Sequence, residues 1–158
     1  IVLDADAINI LSTHRNWLSR LPKRCILTPH LGELERLIGK CLDTYERLIK
    51  VKELASYLQS YIIVKGAWTC IVTPEGYFHF NPTGNPGMAT GGSGDVLTGI
   101  LLGLLAQGYS REEACKLGVY VHGLAGDIAA EEKTEIGMTA NDIVDALPAA
   151  WKKITSKA

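Results

Sequence analysis

The stretch GNPGMATGGSGDVLTG, from Gly84 to Gly99, packs six glycines into sixteen residues and carries one carboxylate, Asp95, just before an apolar run. Glycine loses more backbone freedom on folding than any other residue, so this density calls for a reason. The stretch does not fit the P-loop pattern, because no Lys-Ser/Thr follows its glycines. It also departs from the dinucleotide fingerprint: Leu97 stands where the third glycine is required, and Asp95 would repel a pyrophosphate. What remains is GGSGD at a helix start. Glycines there let successive N–H groups converge on one point, and the helix terminus adds partial positive charge. Such a cradle receives phosphate oxygens, or the charge that develops during phosphoryl transfer. Asp95 beside it is badly placed to bind phosphate and well placed to take a proton from an attacking hydroxyl. The plainer reading is a tight turn with Asp95 or Ser93 as helix cap, but six glycines are more than one cap needs.

Alternating elements must hold this loop in place. IVLDA reads as a strand, a helix follows over about Ile8 to Leu21, and RCILT (Arg24–Thr28) reads as a second strand. A short helix spans Leu31 to Ile38. Asp43 reads as the N-cap of a longer one, in which Leu48, Val51, Leu54, Ala55 and Leu58 recur at helical spacing. YIIVKG reads as a third strand, and CIVTPEGYFHF as a hairpin turning at Pro74-Glu75-Gly76. Asp95 to Gln107 is expected to be a buried helix, apolar on nearly every face. Ser110 with Glu113 opens a helix to about Glu132, and Thr139 with Asp142 opens the last one, which Pro148 should kink or break. Short apolar strands between helices predict one α/β domain over 1–158, a mainly parallel sheet with helices on both faces. A start in mid-strand and so few parallel strands suggest the later part of something larger.

The composition narrows the function classes. Apolar residues make up 47% and charged residues 21%, with a net charge of −1. That balance is globular, and without a basic block it argues against a nucleic-acid partner. GILLGLLA is too short to span a bilayer, and no cationic, apolar leader points to export. Cys25, Cys41, Cys70 and Cys115 are scattered, which suits a reduced cytoplasmic protein with inert thiols rather than a metal or disulfide site. In open parallel sheets ligands bind beyond the carboxyl ends of the strands. Here those ends carry DADAIN, TPHLGE and KGAWT.

Together, LDADAIN, LTPHLGE, VKGAWT, GNPGMATGGSGDVLTGILLGLLAQG and GVYVHGLAGD closely resemble the ADP- or ATP-dependent NAD(P)H-hydrate dehydratase family of the ribokinase-like superfamily. The resemblance runs along essentially the whole chain but covers only the later part of the family's domain, so the N-terminal portion is expected to be lacking. It implies phosphorylation of the hydroxyl of the S form of hydrated NADH or NADPH by ADP or ATP, then loss of phosphate to restore the reduced cofactor. Under it Asp95 is the general base and a substrate contact, and the amides of Gly92, Ser93 and Gly94 form the anion hole. Lys65, Gly66, Ala67, Trp68 and Thr69, with Gly94, hold the nucleotide. His30 contacts the hydrated cofactor, and Glu33 is a candidate for the magnesium shell. Asp4, Asp6 and Asn9 lie near the phosphates with no role assigned. Close packing of small residues accounts for His122, and His30 has the alternative of merely capping the helix after it. The resemblance also implies a homo-oligomer, tetrameric in family members. A hydroxymethylpyrimidine or sugar kinase is the near alternative, though Asn is expected there in place of His30. A catalytically incomplete nucleotide-binding module is the reading from a different class.

Overall fold

The computed structural model describes residues 1–156. Five strands lie in one sheet in chain order: β1 (Val2–Leu3), β2 (Ile26–Leu27), β3 (Tyr61–Val64), β4 (Cys70–Val72) and β5 (Phe78–Phe80). The first three are parallel, with Val2 opposite Ile26 and Ile26 opposite Tyr61. Parallel neighbours require a crossover. These are made by α1 (Asp6–Thr13), and then by α2 (Leu31–Ile38) with α3 (Thr44–Leu58). β3, β4 and β5 are antiparallel, and the hairpin turns at Pro74-Glu75-Gly76 as expected, with Gly76 at φ 85°. Then come α4 (Ser93–Ala106), α5 (Arg111–Gly137) and α6 (Ala140–Thr155).

β3 shows why the sheet needs cover on both faces. All four of its residues are buried. Successive strand side chains point to opposite faces. Tyr61 and Ile63 accordingly pack with Leu97 and Leu101 of α4 and Cys115 and Val119 of α5. Ile62 and Val64 pack with Leu34, Val51 and Ala55 of α2 and α3. A third cluster joins Ile8 and Leu11 to Leu27, Leu37 and Leu58, and a fourth lies between α5 and α6.

Several boundaries differ from the sequence expectation. The helix expected over Ile8 to Leu21 is α1 followed by a 3₁₀ turn, Arg15–Arg20, with His14 breaking the run at φ −118°, ψ 60°. α4 begins two residues before Asp95, because Gly92 at φ 88° turns the chain into the helix. α5 continues past Glu132, interrupted at Thr134 (φ 65°, ψ 157°). Pro148 neither ends nor splits α6, which runs on to Thr155. Pro148 and Val144, whose carbonyl loses its donor, both lie on the exposed side. Water can serve that carbonyl while buried Ile143, Ala146 and Ala150 keep the helix docked.

All four cysteines are free, and Cys25, Cys70 and Cys115 are buried. Burial pushes the Cys70 thiol up to about 11 and the Cys115 thiol up to about 12, the latter helped by the Glu112 charge. Such thiols stay protonated and inert. Among the described residues no helix is long and apolar enough to cross a membrane.

Candidate active site

The carboxyl ends of the three parallel strands deliver Asp4, His30 and Lys65 to one edge of the sheet. A parallel bridge between His30 and Lys65 extends the β2–β3 pairing that far, with Lys65 N–H donating to Pro29 O at 2.9 Å. α4 crosses this edge with its N-terminus open. Gly92, in the left-handed region, supplies no side-chain cap, and the first helical bond is Val96 N–H to Gly92 O at 3.1 Å. α2, α3 and α5, by contrast, are capped by the His30, Asp43 and Ser110 side chains. The Ser93 N–H turns back to Thr90 O at 3.3 Å, so the Gly94 and Asp95 amides are the first-turn donors aimed outward.

A charged pair lies directly against Gly94. Lys65 Nζ donates to Asp4 Oδ1 at 2.7 Å, and Thr98 Oγ1 donates to Asp4 Oδ2 at 3.2 Å. A β-carbon placed on Gly94 would stand 3.2 Å from Lys65 Nζ and 3.4 Å from Asp4 Oδ2. Glycine is therefore what lets the helix end approach the pair. Burial pushes the Asp4 carboxyl up, but the Lys65 hydrogen bond and charge, with hydrogen bonds from Thr28 and Ala5, outweigh it and hold the carboxyl below its usual 3.8.

Beside the helix end opens a cleft of about 620 Å³. Its walls are His30, Lys65, Gly66, Ala67 and Thr69 on the sheet side, Ser93, Gly94 and Leu97 of α4, and Val119, His122 and Gly123 of α5. The loop from Asn81 to Thr90 forms its rim; from Gly84 on it belongs to the glycine-rich stretch read as the site, although no residue of that stretch before Gly92 is named as a site residue. α5 pins the loop: Gly84 N–H and Asn85 Nδ2 both donate to the Asp127 carboxylate, each at 3.0 Å. Asp127 belongs to the quoted GLAGD run, which was the available signal.

The expected nucleotide-binding stretch is split. Trp68 does not line the cleft but an adjoining groove with Leu31, Leu48 and Phe80, and it is 72% exposed. Asp95 is exposed at the third position of α4. His30 caps α2: its Nδ1 accepts from Gly32 N–H at 3.0 Å and Glu33 N–H at 3.3 Å. Its Nε2 faces Glu33 Oε1 at 3.3 Å, and the other Glu33 oxygen accepts from His30 N–H at 2.9 Å. The capping alternative is thus the geometry observed. His30 borders the cleft with Nδ1 spent on the cap, and the buried Glu33 has both oxygens against His30.

His122 does more than fill space. Its Nε2 lies 3.4 Å from Ser93 Oγ at the cleft wall. Burial, with the Lys65 charge also acting against protonation and the Ser93 hydrogen bond only partly offsetting, pushes its pKa down to about 4 from 6.5. The folded protein therefore resists a proton that the unfolded chain accepts, so stability is full above pH 6.5 and falls as pH drops toward 4. A His122→Gln variant should lose this dependence, worth about 3 kcal/mol across the window. Urea unfolding of both proteins at several pH values between neutrality and pH 4 checks it; parallel curves would refute it.

A doubly covered, mainly parallel sheet with its cleft beyond the strand ends under a glycine-opened helix is the ribokinase-like α/β fold. A ribokinase-like superfamily protein from Enterococcus faecalis V583 superimposes with a TM-score of 0.80 at 36% identity, covering 96% of this chain and 52% of that one. Residues 1–149 match the family model described as NAD(P)H-hydrate dehydratase, and the chain belongs to that family. The ADP/ATP-dependent NAD(P)H-hydrate dehydratase of Bacillus subtilis, in a structure co-crystallised with ATP and Mg²⁺ and soaked with CoA, matches with a TM-score of 0.79 at 36% identity, covering 96% of this chain and 55% of that one. The bifunctional NAD(P)H-hydrate repair enzyme of Thermofilum pendens is 42% identical over 156 residues, which is 98% of this chain and 30% of that protein. The chain thus spans about half of the first two proteins and under a third of the last.

Proposed function

We propose that this chain carries the site for nucleotide-dependent dehydration of the S form of hydrated NADH or NADPH. The observation that carries the reading is the uncapped N-terminus of α4, set against Lys65 at the mouth of the cleft. An ADP or ATP molecule would lie along Lys65–Thr69, its terminal phosphate on the Gly94 amide. The Gly92–Gly94 turn stabilises charge on the transferring phosphoryl group. Asp95, one residue further on, takes the proton from the substrate hydroxyl as its oxygen attacks the terminal phosphorus and the bridging P–O bond breaks, releasing AMP from ADP or ADP from ATP. The carbon–oxygen bond of the ester then breaks, phosphate departs with the electron pair, and loss of a proton from the neighbouring ring carbon restores the dihydropyridine.

Among the described residues no cluster of three or more His, Cys, Asp and Glu side chains could hold a metal ion. Glu33 is engaged by His30, and Asp4 by Lys65 and Thr98. That fits a magnesium ion that would be carried mainly by nucleotide phosphates and water, which it prefers to an all-protein cage. Magnesium would neutralise phosphate charge. The reading goes with one domain, a homo-oligomer and a cytoplasmic setting.

The test supplies hydrated NADH with magnesium and either ADP or ATP, and follows the near-ultraviolet absorbance of reduced nicotinamide. Absorbance should return with at least one nucleotide and not without it. Binding of neither ADP nor ATP by the folded chain would refute the reading.

A further inference from the structure

We propose that Asp4 is a positioning residue that holds the Lys65 ammonium over the N-terminus of α4, so that Lys65 meets the terminal phosphate of the nucleotide. The proposal rests on the phosphoryl-site reading above and adds the division of labour within it. β1 and β3 flank β2, so Asp4 and Lys65 reach each other across the end of the middle strand. The pair is short, 2.7 Å, with 12% of the Asp4 side chain and 22% of the Lys65 side chain exposed. Asp4 is itself held from α4 by Thr98 Oγ1 at 3.2 Å. The carboxylate is therefore fixed on two sides, whereas a lysine on its flexible four-carbon stem would otherwise sample many rotamers.

An ammonium has three donors. One is spent on Asp4 Oδ1, and the others remain for an anion beside Gly94, whose Cβ position lies 3.2 Å from Nζ. The chain also tolerates local strain at this spot. Ala5 adopts φ 47°, ψ −117°, a turn geometry that ordinarily selects glycine. Residues in such regions persist where the surroundings demand them, and they cluster at functional sites. Asp4 as an independent phosphate- or metal-side group is the competing assignment, and the two differ in a measurable way. A residue acting only through Lys65 has nothing left to do once Lys65 is gone.

The test measures ADP and AMP affinity, with magnesium, for the wild-type chain, Asp4→Asn, Lys65→Ala and the double variant. Lys65→Ala should weaken ADP by about tenfold or more, as expected for losing a charge-assisted phosphate contact, and leave AMP within about twofold. Asp4→Asn should produce a smaller loss with the same preference for ADP. The double variant should bind ADP no worse than Lys65→Ala alone, since residues acting as one unit are not additive. Thr98→Val provides a second probe should Asp4→Asn fail to fold: a modest ADP-selective loss, absent in the Lys65→Ala background. Additive losses, or equal losses for AMP and ADP, would overturn the positioning role while leaving the site reading intact. A wild-type chain that binds neither nucleotide would overturn both.

Discussion

Asp95→Asn should lower turnover of hydrated NADH by about 10²–10⁴-fold, the usual worth of a general base, while nucleotide affinity stays within about twofold. The amide copies the shape of the carboxylate but cannot accept the hydroxyl proton. Its backbone N–H, part of the open first turn of α4, is unchanged. Because Asp95 is exposed and packs into none of the core clusters, the substitution leaves the fold alone. Single-turnover absorbance recovery at saturating nucleotide, paired with an equilibrium nucleotide titration, separates the two effects. Equal turnover in the variant would remove Asp95 from the proton step. A parallel loss of nucleotide affinity would instead make it part of the binding surface. The contrast with Lys65→Ala is useful here: that variant should lose ADP affinity first, because its group meets the donor rather than the acceptor.

The parts of this site legible in the sequence are those specified within a few residues of themselves. Gly92 announced the turn into α4 because its backbone geometry favours glycine. Ser110 with Glu113 announced the start of α5 through a reciprocal cap. The continuous apolar run of β3 announced a strand buried on both faces. Features that depend on distant segments were not legible. Nothing near Asp4 or Lys65 indicates that residues sixty-one positions apart share a hydrogen bond. Pro148 looked like a break because local chemistry says so, and packing of α6 on α5 overrides it. His122 looked like filler among small residues, since only the fold brings Ser93 to its ring. Helix α1 ends at His14, whose φ −118°, ψ 60° leaves the helical region, and periodicity does not register that end.

Gly123→Ala should disrupt the cleft where Gly126→Ala, one helical turn further along α5, is tolerated. A methyl group at Gly123 would run into Thr83 Oγ1 and stand 2.7 Å from the Thr83 carbonyl carbon and 2.8 Å from its oxygen. Thr83 has little room to retreat. Its hydroxyl donates to Tyr120 O at 2.9 Å, its carbonyl accepts from Asn81 Nδ2 at 2.9 Å, and the next residue is bound to Asp127. At Gly126 the three atoms nearest the methyl would all belong to the Met88 side chain, an unbranched thioether that repacks readily. Alanine is the better helix former at both positions by about 0.5–1 kcal/mol. Overpacking against fixed neighbours costs about 1–3 kcal/mol, so steric cost wins at Gly123 and the two terms nearly cancel at Gly126. Thermal unfolding should show Gly123→Ala clearly destabilised and Gly126→Ala close to wild type. Since Thr83 leads directly into the cleft rim, Gly123→Ala should also weaken nucleotide binding more than its stability loss explains. A Gly123→Ala variant as stable as wild type would mean that the rim moves freely and that α5 does not set the shape of the cleft.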